Sequence, residues 1–165
     1  MAGPLASLLI PARITLAVQS TEHAAAIHEV VRLLDGNPEV TDFQGFLGEL
    51  LARESVDTTC LGNGIAIPHA RTEHVSGIVM AVGRSNAGIY FENGNETIRL
   101  IFAMGTPRAN AGGYLQVVGV LCRIIKDPAN CEALLSAPTA EDFMQTLLDL
   151  EARVLAAPRA STSRC

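Results

Sequence analysis

Apolar residues recur three and four apart in the first and last thirds of this 165-residue chain, but collect into short unbroken runs in its middle. The first spacing lines one side of a helix, and the second suits a strand covered on both faces. Helical ends around a stranded middle leave few solutions, because every apolar face must be buried against another element. A central sheet with helices on both sides, a three-layer α/β/α domain, satisfies all of them together.

Local chemistry places the elements. Ile14 to Val18 alternates weakly and predicts an opening strand. Ser20 or Thr21 is placed to cap a helix whose apolar positions are Ile27, Val30, Val31 and Leu34, and Asp35-Gly36-Asn37-Pro38 stops it. Thr41 with Gln44 reads as a capping box for a second helix, which buries Phe43, Phe46, Leu47, Leu50 and Leu51 and ends near Arg53-Glu54. Gly64–Ile67, Ile78–Val82 and Ile98–Met104 read as strands of ordinary length, the last two joined by an Asn-Gly hairpin over Phe91–Asn95. Tyr114, Leu115, Val118, Leu121, Cys122 and Ile125 form one apolar helical face. Asp127-Pro128 starts a short helix, and Thr139 with Asp142 opens a final one carrying Phe143, Leu147, Leu150 and Val154.

The length suits one core, so residues 1–155 are read as a single domain and 156–165, small and Pro-broken, as a disordered tail. With 48% apolar and 18% charged residues the chain has ample material to bury. A net charge of −5 without any Lys/Arg cluster argues against nucleic acid and anionic membrane as partners, since both need a basic footprint. The apolar start Leu5–Ile10 is too short to span a bilayer and lacks the charge of a signal peptide, so a cytoplasmic location is expected, with no membrane insertion. Cys60, Cys122, Cys131 and Cys165 are not spaced as CxxC pairs and are expected to be thiols in a reducing compartment.

The stretch richest in chemistry runs from Arg53 to His69. An apolar run delivers His69 to its end, Pro68 fixes the approach of the chain, and Gly62 and Gly64 clear side-chain bulk nearby. A histidine so placed turns one ring nitrogen to solvent while the other donates to a backbone carbonyl. That bond fixes the tautomer and leaves the outer nitrogen nucleophilic.

Arg53-Glu54, Thr58-Thr59 and the string Leu61-Gly62-Asn63-Gly64-Ile65-Ala66-Ile67-Pro68-His69 closely resemble the signature of the type-2 IIA domains of the phosphotransferase system, the fructose, mannitol and nitrogen-regulatory class. The resemblance continues through Gly88-Ile89, Phe91 and Leu100–Pro107 and covers roughly residues 14–150. It implies a mannitol-specific-IIA-like fold with a mixed sheet, and a phosphocarrier that takes a phosphoryl group on His69 from the phosphocarrier HPr or a nitrogen-branch homologue. The group then passes to a IIB domain or acts as a signal to a regulatory target protein. By the same resemblance Arg53 balances phosphoryl charge, and Thr59, Cys60, Gly62, Asn63, Gly64 and Arg71 are candidates for contact with the group. Family members commonly carry a second histidine before a leucine where this chain has Tyr114-Leu115. A phenol donates one hydrogen bond but carries no charge at neutral pH. Either Tyr114 substitutes, or Arg71 or Arg108 compensates, or the domain keeps the fold as a regulatory protein-binding module that has lost efficient transfer.

Other features carry less. His69 and His74 stand five apart and meet no zinc spacing, so no metal is expected. Gly62-Asn63-Gly64 lacks the Lys-Ser/Thr of a nucleotide loop, and no cofactor is expected. His23 and His28 fall on the first helix and are expected to be solvated or half-buried.

Overall fold

The computed structural model describes residues 3–157. In chain order the elements are β1 (Ile14–Thr15), α1 (His23–Val31), α2 (Phe43–Val56), β2 (Cys60–Gly62), β3 (Ile65–Ala66), β4 (His69–Thr72), β5 (Val79–Phe91), β6 (Glu96–Pro107), α3 (Ala111–Ile125), α4 (Pro128–Ser136) and α5 (Ala140–Ala156). The strands form one mixed sheet in the order β1-β5-β6-β3-β2, and β4 pairs with β6 beyond β3. β1 runs parallel to β5, β3 and β4 run parallel to β6, and the β5–β6 and β2–β3 pairs are antiparallel.

Alternation along the strands divides the interior in two. Met80, Val82, Leu100, Phe102 and Met104 point to one face and are covered by α3, α4 and α5 through residues such as Leu121, Leu134, Phe143 and Leu147. Val79, Ala81, Ile101 and Ala103 point to the other, where Ile27, Val30, Phe46 and Leu50 of α1 and α2 cover them. A sheet buried on both faces must be apolar at nearly every position, which is why the middle of the sequence reads as unbroken runs. The three-layer architecture with a mixed sheet is therefore as expected.

Local details differ from the sequence reading in instructive ways. The N-cap of α2 is Asp42, whose carboxylate accepts from Gly45 N–H, and not Thr41. Glu22 rather than Ser20 or Thr21 precedes α1, without a side-chain cap, because the Ser20 hydroxyl donates to Glu29 instead. Asp127 and Thr139 cap α4 and α5 as their residue types demand. β1 is two residues long, not five. β5 and β6 span 13 and 12 residues, far longer than their apolar runs. A register shift between Arg84 and Ile89 lets the ladder continue, with Ile89, Phe91 and Ile98 still buried under the α1–α2 layer. The hairpin joining them forms as expected, but Asn95 (φ 48°) takes the left-handed conformation and Gly94 does not.

α5 continues to Ala156, and the remainder of the expected tail lies outside the described residues. Cys60 and Cys131 are free thiols, whereas Cys122 is disulfide-bonded, against the expectation of thiols throughout. His28 is exposed, but His23 is buried, against expectation. Among the described residues no helix is long and apolar enough to cross a membrane, and no group of His, Cys, Asp and Glu side chains is arranged to hold a metal ion.

Candidate functional site

His69 is the first residue of β4, not the last of the preceding run. Pro68 separates β3 from β4, and its carbonyl accepts from Met104 N–H, so the chain stays against β6 across the break. Along β4, Ala70 and Thr72 turn inward, while His69 is half-buried and Arg71 exposed on the outer side.

The His69 ring is held at both nitrogens. Nδ1 lies 2.9 Å from the carbonyl oxygen of Ile67. A carbonyl only accepts, so Nδ1 carries the proton and Nε2 presents its lone pair. The Tyr114 hydroxyl, 3.1 Å from Nε2, donates to that lone pair, with the two rings 4.8 Å apart and tilted by 36°. Tyr114 lies in the first turn of α3, which Asn110 caps by accepting from Gly113 N–H. Burial lowers the affinity of His69 for a proton below that of a free histidine, and the Arg53 charge adds to this. The Ile67 carbonyl and the Glu54 carboxylate act in the opposite sense without reversing it. The ring is thus neutral at neutral pH. Burial also pushes the Tyr114 phenol up, against a lowering by Arg53, so the phenol stays a donor.

Arg53 sits in the last turn of α2, and its Nη1 donates to the Asp57 carbonyl at 3.1 Å. Its charge acts on both His69 and Tyr114, so these three expected site residues share one electrostatic neighbourhood. Arg71 stands two residues from His69 on the same side of β4, but its Nη2 donates to the Arg108 carbonyl at 3.0 Å. Arg108 in turn pairs with Glu49 at 3.3 Å, so neither arginine is turned onto the imidazole.

The remaining candidates make no hydrogen bond to the His69 ring, whose nitrogens meet the Ile67 carbonyl and the Tyr114 hydroxyl. The Thr59 hydroxyl is buried and donates to the Glu54 carboxylate at 2.8 Å. The Cys60 thiol is half-buried and pushed up by that burial, and a side chain on Gly94 would collide with it. Gly62, Asn63 and Gly64 make the β2–β3 turn, with φ of 95°, 56° and 76°. These glycines serve a left-handed turn rather than access for an anion. The turn is also far away. β3 pairs with Leu100 while His69 pairs with Met104, and four residues of extended chain span about 13 Å. Asn63 Nδ2 donates to the Ile125 carbonyl at the far end of α3, and Gly64 N–H donates to Glu96 at 2.8 Å, so this side chain and this N–H are already engaged. One contributor escaped the sequence reading as a side chain of the site: the Glu54 carboxylate, buried behind Arg53.

The site thus presents an outward-facing imidazole on a mixed sheet between two helical layers. Residues 7–150 match the family described as "Phosphoenolpyruvate-dependent sugar phosphotransferase system, EIIA 2", and the chain belongs to that family. It is 30% identical over 144 residues to the PTS system fructose-specific EIIABC component of Bacillus subtilis, covering 87% of this chain but only 23% of that relative. It is 27% identical over 148 residues to a nitrogen regulatory protein of Pseudomonas aeruginosa, covering 89% of this chain and 96% of the relative. Among solved structures, nitrogen regulatory protein IIA-Ntr from Neisseria meningitidis superposes with a TM-score of 0.80 at 25% identity, covering 87% of this chain and 98% of that one. IIA mannitol from Escherichia coli superposes at 0.73 with 22% identity, covering 84% and 98%, and so shares the fold.

Proposed function

We propose that the protein is a phosphocarrier in which His69 Nε2 accepts a phosphoryl group from an HPr-like phosphocarrier protein. It then passes the group to a IIB domain or uses it to signal to a regulatory target. Membership of the family supports a phosphocarrier role, and relatives of both sugar-specific and nitrogen-regulatory kinds are similar to this chain. The observation that carries the assignment to His69 is the 2.9 Å bond from Nδ1–H to the Ile67 carbonyl. It keeps the proton on the inner nitrogen and leaves Nε2 nucleophilic in a ring that burial holds neutral.

In the transfer, the Nε2 lone pair forms the new N–P bond as the P–N bond to the donor histidine breaks, and the bonding pair leaves with the donor imidazole. Little covalent chemistry is asked of the protein beyond in-line positioning and charge stabilisation. Tyr114 OH moves from the consumed lone pair to a phosphoryl oxygen. Arg53 and the N-terminal end of α3 supply positive potential on the same side. In this reading His69, Tyr114 and Arg53 carry the chemistry, while the side chains of Thr59, Asn63 and Arg71 are engaged by Glu54, the Ile125 carbonyl and the Arg108 carbonyl.

The Tyr114 hydroxyl already seated on Nε2 favours a second reading, a protein-binding module without efficient transfer. One experiment separates the two. The chain is incubated with phosphoenolpyruvate, enzyme I and several HPr homologues, and intact mass and acid lability are followed, with His69→Ala as control. One acid-labile phosphoryl group, absent from the variant, is the expected result. No gain, while HPr itself is phosphorylated, overturns the carrier reading in favour of the binding module.

A further inference from the structure

A cavity of about 290 Å³ lies on the α1–α2 side of the molecule, lined by residues that include His23, Ile27, Leu51, Glu54, Glu92 and Asn93. None of His69, Arg53 and Tyr114 lines it. Three distant segments build its polar wall. His23, the first residue of α1, stacks on the fully buried Phe91 at a ring distance of 3.9 Å. Its Nε2 lies 3.2 Å from the buried Glu54 carboxylate of α2, and its Nδ1 lies 3.0 Å from Glu92 in the β5–β6 turn. Thr59 donates to both Glu54 oxygens, and Asn93 Nδ2 donates to the Glu54 carbonyl at 3.0 Å, tying the hairpin tip to the end of α2.

The charge of this wall follows from proton counting. Two carboxylates flank one imidazole, and both contacts are hydrogen bonds only when each ring nitrogen faces a proton. With two carboxylates set against one imidazole, the wall is acidic in balance, and the His23 hydrogen bond holds the Glu92 carboxyl below the usual carboxylate range. Among the described residues, neither lysine nor arginine lines the cavity to balance it. The opposite wall, Ile27 and Leu51, is apolar. A space of this size, apolar on one side with a few convergent polar groups on the other, is the ordinary form of a small-molecule site. At roughly 30 Å³ per water-sized unit it holds about ten non-hydrogen atoms.

We infer that this cavity binds a small organic cation, an ammonium group on an apolar body, with the ammonium between the Glu92 carboxylate and the Asn93 side-chain carbonyl and the body against Ile27 and Leu51. The inference does not depend on phosphoryl transfer at His69. Because Glu54 follows Arg53 in α2, an occupant would press on the turn of helix that also serves His69.

The test is an amide NMR titration of the full chain at neutral pH with phenethylammonium. Phenethyl alcohol serves as the neutral isostere and 3-phenylpropanoate as the anionic one. Expected are saturable shifts at Ile27, Leu51 and Asn93 with a dissociation constant of a few millimolar, as a ligand of about nine non-hydrogen atoms should give. Glu92→Gln, at an exposed position where folding is not at stake, should weaken binding about threefold. Ser55→Phe, on the exposed rim of the cavity, should abolish it. Equal binding of the alcohol and the ammonium, an unchanged constant in Glu92→Gln, or no saturable shift at these residues overturns the inference.

Discussion

Replacing Tyr114 by Phe removes one hydroxyl from the site and leaves the ring that packs beside His69. In the resting protein that hydroxyl makes a neutral hydrogen bond to Nε2 at 3.1 Å. Such a bond contributes about 1 kcal/mol net. Once a phosphoryl group occupies Nε2 the lone pair is gone, and the same hydroxyl reaches a charged phosphoryl oxygen. A charge-assisted bond of that kind is worth roughly twice a neutral one, about 2 kcal/mol. Tyr114 therefore stabilises the phosphorylated form over the resting form by the difference, about 1 kcal/mol, which is about fivefold in the equilibrium constant. The assay holds the ratio of phosphorylated to free HPr fixed and reads the phosphorylated fraction of this chain by intact mass. Tyr114→Phe should lower the ratio of phosphorylated to free protein about fivefold, and loss of the resting bond should lower the melting temperature by roughly 2–4 °C. Tyr114→His, which offers a charge-capable donor, should restore it. A Tyr114→Phe ratio equal to or above that of the parent would show that the phenol only caps the nucleophile, and the reasoning would fail.

Burial and Arg53 depress the proton affinity of folded His69, so the unfolded chain binds that proton first as pH falls. The stability linked to His69 should be fully present above the unfolded value, about pH 6.5, and should decline as pH drops towards the lower folded value. The stability of the parent relative to His69→Ala, from denaturant melts, should fall as pH drops below about 6.5, and a difference independent of pH there would refute it. Thr139→Ala removes the side-chain cap that accepts from Asp142 N–H. It should cost about 1 kcal/mol, read as a melting temperature lower by roughly 2–4 °C. Phe102→Ala, at a fully buried position under α3–α5, should cost about 3–5 kcal/mol by chemical denaturation. Val56→Ala, at an 81% exposed position, should stay within about 0.5 kcal/mol of the parent.

The sequence made the layers legible because a sheet covered on both faces has no polar side to hide, and because caps such as Asp127 and Thr139 act within their own helical turn. It made the length of β5 and β6 illegible. Unbroken hydrophobic runs end at Arg84, but the ladder, shifted in register there, carries on with only alternate residues such as Ile89, Phe91 and Ile98 buried. The same limit applied at the site. The inner bond of His69, to a carbonyl two residues back, is local and was foreseen in kind. Nearness in sequence then misled for Gly62, Asn63 and Gly64, because an extended chain carries residues apart by about 3.3 Å each. Tyr114, 45 residues away, is brought to Nε2 by the crossing of α3 over the sheet, and only resemblance to a family marked it.

These distances also explain why one tyrosine carries so much of the site. The His69 side of β4 is an outer face, and its nearest arginine on the strand, Arg71, is committed to the Arg108 carbonyl. The glycine turn is committed to Ile125 and Glu96 at the other end of α3. Among the described residues, what remains is a phenol on Nε2 at the start of one helix and the charge of a guanidinium at the end of another, acting on both rings. A donor that switches from the lone pair to the phosphoryl oxygen does not need to be charged. It needs only to gain more from the second partner than it loses from the first, which a neutral phenol facing an anion does.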